Sequence, residues 1–101
     1  MATVRAGRVE VRVDVTDWPE VHLSLYNGGK YLENLTLFDQ ARRIRETLNQ
    51  VWKFLKKFGV ENYIAVNIRD RIRSILNVAR KNSEEKQHRI KTRQQPAHHP
   101  A

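Results

Sequence analysis

Cysteine is absent from this chain of 101 residues. That excludes disulfides, thiolate nucleophiles and cysteine-ligated metal sites, although it does not by itself fix a compartment. No run of eighteen apolar residues occurs, so no membrane span is expected. The N-terminal stretch MATVRAGRVEV is charged and strand-like, unlike a signal peptide. The expectation is a protein made and kept in the cytoplasm, or packaged from there. Glycine-rich phosphate loops, nucleophile elbows and paired acid–base motifs are missing. His22, His88, His98 and His99 are scattered, with no carboxylate spaced to close a metal site around them. Glu10, Asp14, Asp17 and Glu20 cluster near the first strand but read as a solvated face and turn. These absences point away from an enzyme, a cofactor or a small-molecule substrate.

Negative charge is also scarce: eleven acidic side chains stand against nineteen lysines and arginines, a formal net charge of +8. The surplus is unevenly placed. Residues 1–36 hold four basic and five acidic side chains, whereas 37–58 hold six and two, and 69–82 hold five and one. Such asymmetry favours a polyanionic partner, nucleic acid ahead of acidic protein or membrane surface. The competing reading is that the charge serves solubility.

One stretch organises the rest. Leu37, Ala41, Ile44, Leu48, Val51, Leu55 and Phe58 recur at spacings of four and three, a helical seam with an approximate heptad repeat. Thr36 reads as its N-cap, with Asp39 closing a shortened capping box. Gly59 reads as its stop, with Val60 folding back on Leu55. Before it, Val9, Val11, Val13 and Val15 alternate with polar residues, then Val21, Leu23 and Leu25 do the same; both runs predict half-buried strands. Asn27-Gly28-Gly29-Lys30 predicts a hairpin. A turn centred on Gly28-Gly29 sets Tyr26 opposite Tyr31 and Leu25 opposite Leu32, and is preferred to one centred on Asn27-Gly28 because it pairs apolar residues. The third strand, Lys30 to about Leu35, alternates poorly. From Asn62, the stripe Ile64, Ile68, Ile72, Ile75 and Ala79, with Leu76 beside it, favours a helix to about Asn82. A strand over 63–67, with Asn67 capping a shorter helix, is the alternative.

The expected fold is therefore α+β: a three-stranded antiparallel meander packed on two helices in one domain over 1–82, then a basic tail over 83–101 that is disordered or ordered by a partner. The residues expected to contact phosphates are Arg42, Arg43, Arg45, Lys53, Arg69, Arg73, Arg80 and Lys81. Arg69, Arg73, Asn77 and Arg80 share one helical face, and the guanidinium fork suits phosphate oxygens. A helix-turn-helix across Thr47–Leu76 is a weaker match, since any αα-hairpin looks similar. His22, Ser24, Tyr26 and Tyr31 on the outer hairpin face suit base stacking, or simply a cross-strand pair that steadies the turn. The seam residues Leu48, Val51 and Leu55, widened by Trp52 at its border and Phe54 off it, make more apolar helix than a small sheet easily covers, which predicts homo-oligomerisation or docking to another protein. Two functions follow: a small nucleic-acid-binding protein, DNA or RNA, acting as a homo-oligomer; or a structural adaptor that docks through its amphipathic helix.

Overall fold

A computed structural model of the chain describes residues 1–37 and 43–97, with side chains as far as residue 84. Its elements are β1 (Ala2–Ala6), β2 (Val9–Asp14), β3 (Val21–Asn27), β4 (Lys30–Leu37), α1 (Ile44–Lys57) and α2 (Asn62–Ala97). The strands form one antiparallel sheet in the order β1-β2-β3-β4. The α+β class is as expected, but the sheet has four strands rather than three. β1 went uncounted because Ala2, Thr3, Val4, Arg5 and Ala6 contain a single strong apolar strand former. Only Val4 of these is buried, opposite Val11. No helix among the described residues is long and apolar enough to cross a membrane.

Period-two patterning decides which face of the sheet is inside. Val9, Val11 and Val13 on β2, and Val21, Leu23 and Leu25 on β3, are all buried. Their neighbours Arg12, His22, Ser24 and Tyr26 stand on the opposite face. The helices cover the apolar face alone, which is why these strands alternate cleanly.

The β3–β4 hairpin turns at Gly28 and Gly29, both at positive φ (61° and 84°), the backbone of a two-residue turn whose twist matches the strands. Asn27 pairs with Lys30 and Tyr26 with Tyr31, as the preferred register required. Leu25, however, faces Glu33 rather than Leu32. A bulge beside Leu25 and Tyr26 absorbs Leu32 as the extra residue and shifts the pairing by one. Without that shift, Asn34 and Thr36 would face Leu23 and Val21. With it, Leu35 and Leu37 do. The broken alternation of this strand is thus the mark of the bulge.

The same shift extends β4 to Leu37. Thr36 pairs with His22 inside the strand and does not cap a helix, and Leu37 is buried opposite Val21 instead of opening the helical seam. Asp39 and Ala41, the other residues of that expected helix start, lie outside the described residues. α1 begins at Ile44, with Arg43 at its N-cap making no side-chain capping bond. Its end is as expected. The Val60 amide donates to the Leu55 carbonyl and the Gly59 amide to that of Lys56, with Gly59 at φ 74°; this pair of bonds is a Schellman motif. Lys56 Nζ then donates to the Val60 carbonyl (2.7 Å) and to Asn62 Oδ1 (2.6 Å), fastening the turn into α2.

Residues 63–67 are helical, so the strand alternative is not adopted. Ala65, Ile68, Ile72 and Leu76 are fully buried at helical spacing, with Ile64 and Ile75 packed beside them. Helix continuation wins because every third or fourth residue past Val66 still finds the core. α2 continues beyond Asn82, where the apolar stripe ends, to Ala97. At 1.5 Å per residue its 36 residues span roughly 54 Å. Arg71 Nη1 donates to the Arg5 carbonyl (2.6 Å), tying α2 to the edge strand β1.

Candidate nucleic-acid interface

α1 and α2 lie side by side in opposite directions. Lys56 meets Asn62 near the turn, Trp52 meets Arg69 further along, and residues at the start of α1 share a groove with Arg80. Contact held along the whole of α1 is an αα-hairpin rather than the steep crossing of a helix-turn-helix. Between the helices runs an open groove of about 500 Å³, lined by Ile44, Arg45, Leu48 and Asn49 from α1 and by Arg69, Arg73, Asn77 and Arg80 from α2. Spacings of four residues, Arg45 to Asn49 and Arg73 to Asn77, hold these side chains on facing sides of their helices. No carboxylate is among the described residues that line it.

Arg69 is the most constrained of the four guanidiniums. Its Cζ lies 5.4 Å from the centroid of the Trp52 ring, within range of a cation–π attraction. Its Nε is buried with no hydrogen-bond partner. Nη2 makes one long contact, 3.5 Å, to the largely exposed Asp70 carboxylate. A buried donor left unmade costs about 1–3 kcal/mol; the cation–π attraction to the indole offsets part of that. Arg80 Nη2 donates to Asn77 Oδ1 at 3.4 Å, so the polar groups of this wall already bond one another.

The remaining candidates fall elsewhere. Arg43 is exposed and 3.7 Å from Glu46. Lys81 is exposed on α2 but does not line the groove. Lys53 stands on the other flank of α1, in a shallower groove of about 270 Å³ with Glu33, Leu35, Phe54 and Lys57, where Lys57 and Glu33 pair at 3.2 Å. Arg42 lies outside the described residues. Thus Arg45, Arg69, Arg73 and Arg80 are brought together, and Arg43, Lys53 and Lys81 are not. Asn49, and the apolar contribution of Ile44 and Leu48, were not anticipated; the signal for Asn49 was its place one turn after Arg45.

The docking seam meets a different fate. Leu48, Val51, Phe54 and Leu55 are buried in the chain's own core, at 5%, 1%, 7% and 0% exposure. Trp52 is half-buried beneath Arg69. The premise that this seam is left uncovered fails, because α2 packs along α1 and the seam residues are buried in the core shared with the sheet.

On the outer sheet face, Tyr26 and Tyr31 meet edge to face at 5.5 Å, and the Arg12 guanidinium sits 4.3 Å over the Tyr26 ring. These rings are already engaged, as a cross-strand pair. Beside them Glu10 receives Arg12 Nε at 2.9 Å and Arg5 Nε at 2.7 Å. The Arg12 hydrogen bond, with help from Arg5, holds the Glu10 carboxyl below its ordinary value. A depressed folded-state pKa means the interaction stabilises the fold above the unfolded chain's carboxylate pKa, and that contribution is lost as pH falls through the folded value. Arg12→Ala should move the Glu10 titration, followed by carboxyl NMR, upward. An unchanged midpoint would show that Arg12 is not its partner.

No family model, curated protein or solved structure matches this chain. What defines its class is therefore the arrangement itself: a four-stranded antiparallel sheet, a helical hairpin on its apolar face, and a cationic groove on the hairpin.

Proposed function

We propose that this chain is a nucleic-acid-binding protein that holds phosphates of the backbone in the groove between α1 and α2. One observation carries the reading: Arg45, Arg69, Arg73 and Arg80, from two helices, share one groove whose described lining residues include no carboxylate. Guanidiniums scattered for solubility would point apart, whereas these four converge; of them Arg69 also touches an acid, Asp70 at 3.5 Å, which does not line the groove. Contacts of this kind supply affinity and orientation with little choice of sequence. The four arginines all come from one chain, so the proposal needs no second copy. The adaptor reading loses its main support, because the helical face it requires is spent on the core.

The test is equilibrium binding of short DNA and RNA across a salt series. Four phosphate contacts predict a log–log slope of roughly −3 to −4, the steeper value on duplex DNA. Undetectable binding of every nucleic acid at low salt would remove the proposal.

A further inference from the structure

The lining of the groove is mixed, and the mixture says which form of nucleic acid it takes. Half-buried Ile44 supplies apolar surface, the exposed Asn49 supplies an amide that both donates and accepts, and the four arginines, Arg80 on Asn77 Oδ1, supply charge. Duplex exposes phosphates and groove edges but stacks its bases face to face, out of reach of an apolar wall. A single strand offers base faces, unpaired base edges and phosphates together. The two walls argue the same way. Arg45 stands on one wall and Arg69, Arg73 and Arg80 on the other, so an occupant is approached from two sides. A strand freed from its complement can turn a base to Ile44 while its phosphates meet both walls, whereas in duplex the bases stay paired inside.

On the reading that this groove binds nucleic acid, we infer that its ligand is a single strand, with a base against Ile44, its edge within reach of Asn49, and the adjoining phosphates on the arginines. From Arg69 to Arg80 the helix rises about 16 Å, enough for several consecutive phosphates of one strand.

The experiment compares a short fluorescein-labelled single-stranded DNA, its duplex and inorganic polyphosphate by anisotropy, on the full chain. The single strand should bind about tenfold or more tighter than the duplex, consistent with one base contact, and should out-compete polyphosphate at equal phosphate concentration. Its salt slope should be near −3. Asn49→Ala, at an exposed helical position and apart from the Arg80–Asn77 bond, should remove most of that preference while leaving polyphosphate binding unchanged. Duplex bound as tightly as the single strand would overturn the inference and leave the nucleic-acid reading standing. Polyphosphate bound as tightly as the single strand would likewise overturn it, by showing that bases add nothing. Failure of both nucleic acids to bind would remove the underlying reading itself.

Discussion

Leu55→Ala should lower the free energy of unfolding by about 3–4 kcal/mol, the range for a fully buried leucine whose site cannot collapse. Leu55 has 0% exposure and sits where three parts of the fold meet. Its side chain belongs to the core shared by sheet and helices, and its carbonyl accepts the Val60 amide that ends α1. Val60, itself buried, belongs to the same cluster. Alanine is a better helix former than leucine, so any loss is one of packing and not of propensity. A domain of this size holds only about 5–15 kcal/mol in total, so the variant should unfold at a much lower urea concentration with an unchanged m value. Lys53→Ala, two residues earlier and exposed, should shift the midpoint little. A loss below about 1 kcal/mol for Leu55→Ala would mean that this leucine faces solvent or a partner, and would restore the seam as a docking surface.

The parts of the fold that sequence patterns revealed are those with one dominant cause. Val9 to Val13 and Val21 to Leu25 alternate because a single sheet face is covered. Gly28-Gly29 forces the turn because two consecutive residues must take positive φ, and Gly59 marks the helix stop because its own φ is positive. The parts that misled have competing causes. Leu37 satisfies a helical seam and a bulged strand equally well on paper; pairing with Val21 decides for the strand, and no local signal announces a one-residue shift at Leu32. The Thr36–Asp39 capping pattern was plausible for the same reason. β1 is short and mostly small, held by its ladder to β2 and the Arg71 clasp rather than by its own propensity.

The candidate site was half legible. Helical spacing put Arg69, Arg73, Asn77 and Arg80 on one face, and that face does line the groove. Which residues of α1 lie opposite them depends on how the two helices pack, which spacing within one helix does not encode. Hence Arg45 was grouped with Arg43 and Lys53, though only Arg45 faces the cleft. Trp52 was read as part of an external surface, whereas it forms a bed for Arg69.

Arg69→Ala, Arg73→Ala and Arg80→Ala combined should weaken binding of single-stranded DNA by roughly a hundredfold near physiological salt. The figure takes about 1 kcal/mol for each contact, the value of an ordinary hydrogen bond and below that of bonds to charged groups, and tenfold per 1.4 kcal/mol. The salt slope should fall from near −3 to near −1, since each phosphate contact removed takes about 0.7 from it. Generic attraction to a basic protein would also weaken when three charges are lost, so the loss alone proves little. The deciding comparison is Arg43→Ala, Lys53→Ala and Lys81→Ala combined, which removes the same charge from exposed positions outside the groove. If the groove is the site, this second variant keeps most of its affinity and its slope changes by less than about one. Equal losses in both variants would show that the protein attracts polyanions by net charge without a site. All six positions are on helices or at a helix cap and none is in the core, so both variants should fold with near-parental stability, checked by the same urea transition. Affinity that tracks position, at matched charge and stability, is what separates four converging guanidiniums from a chain that is merely basic.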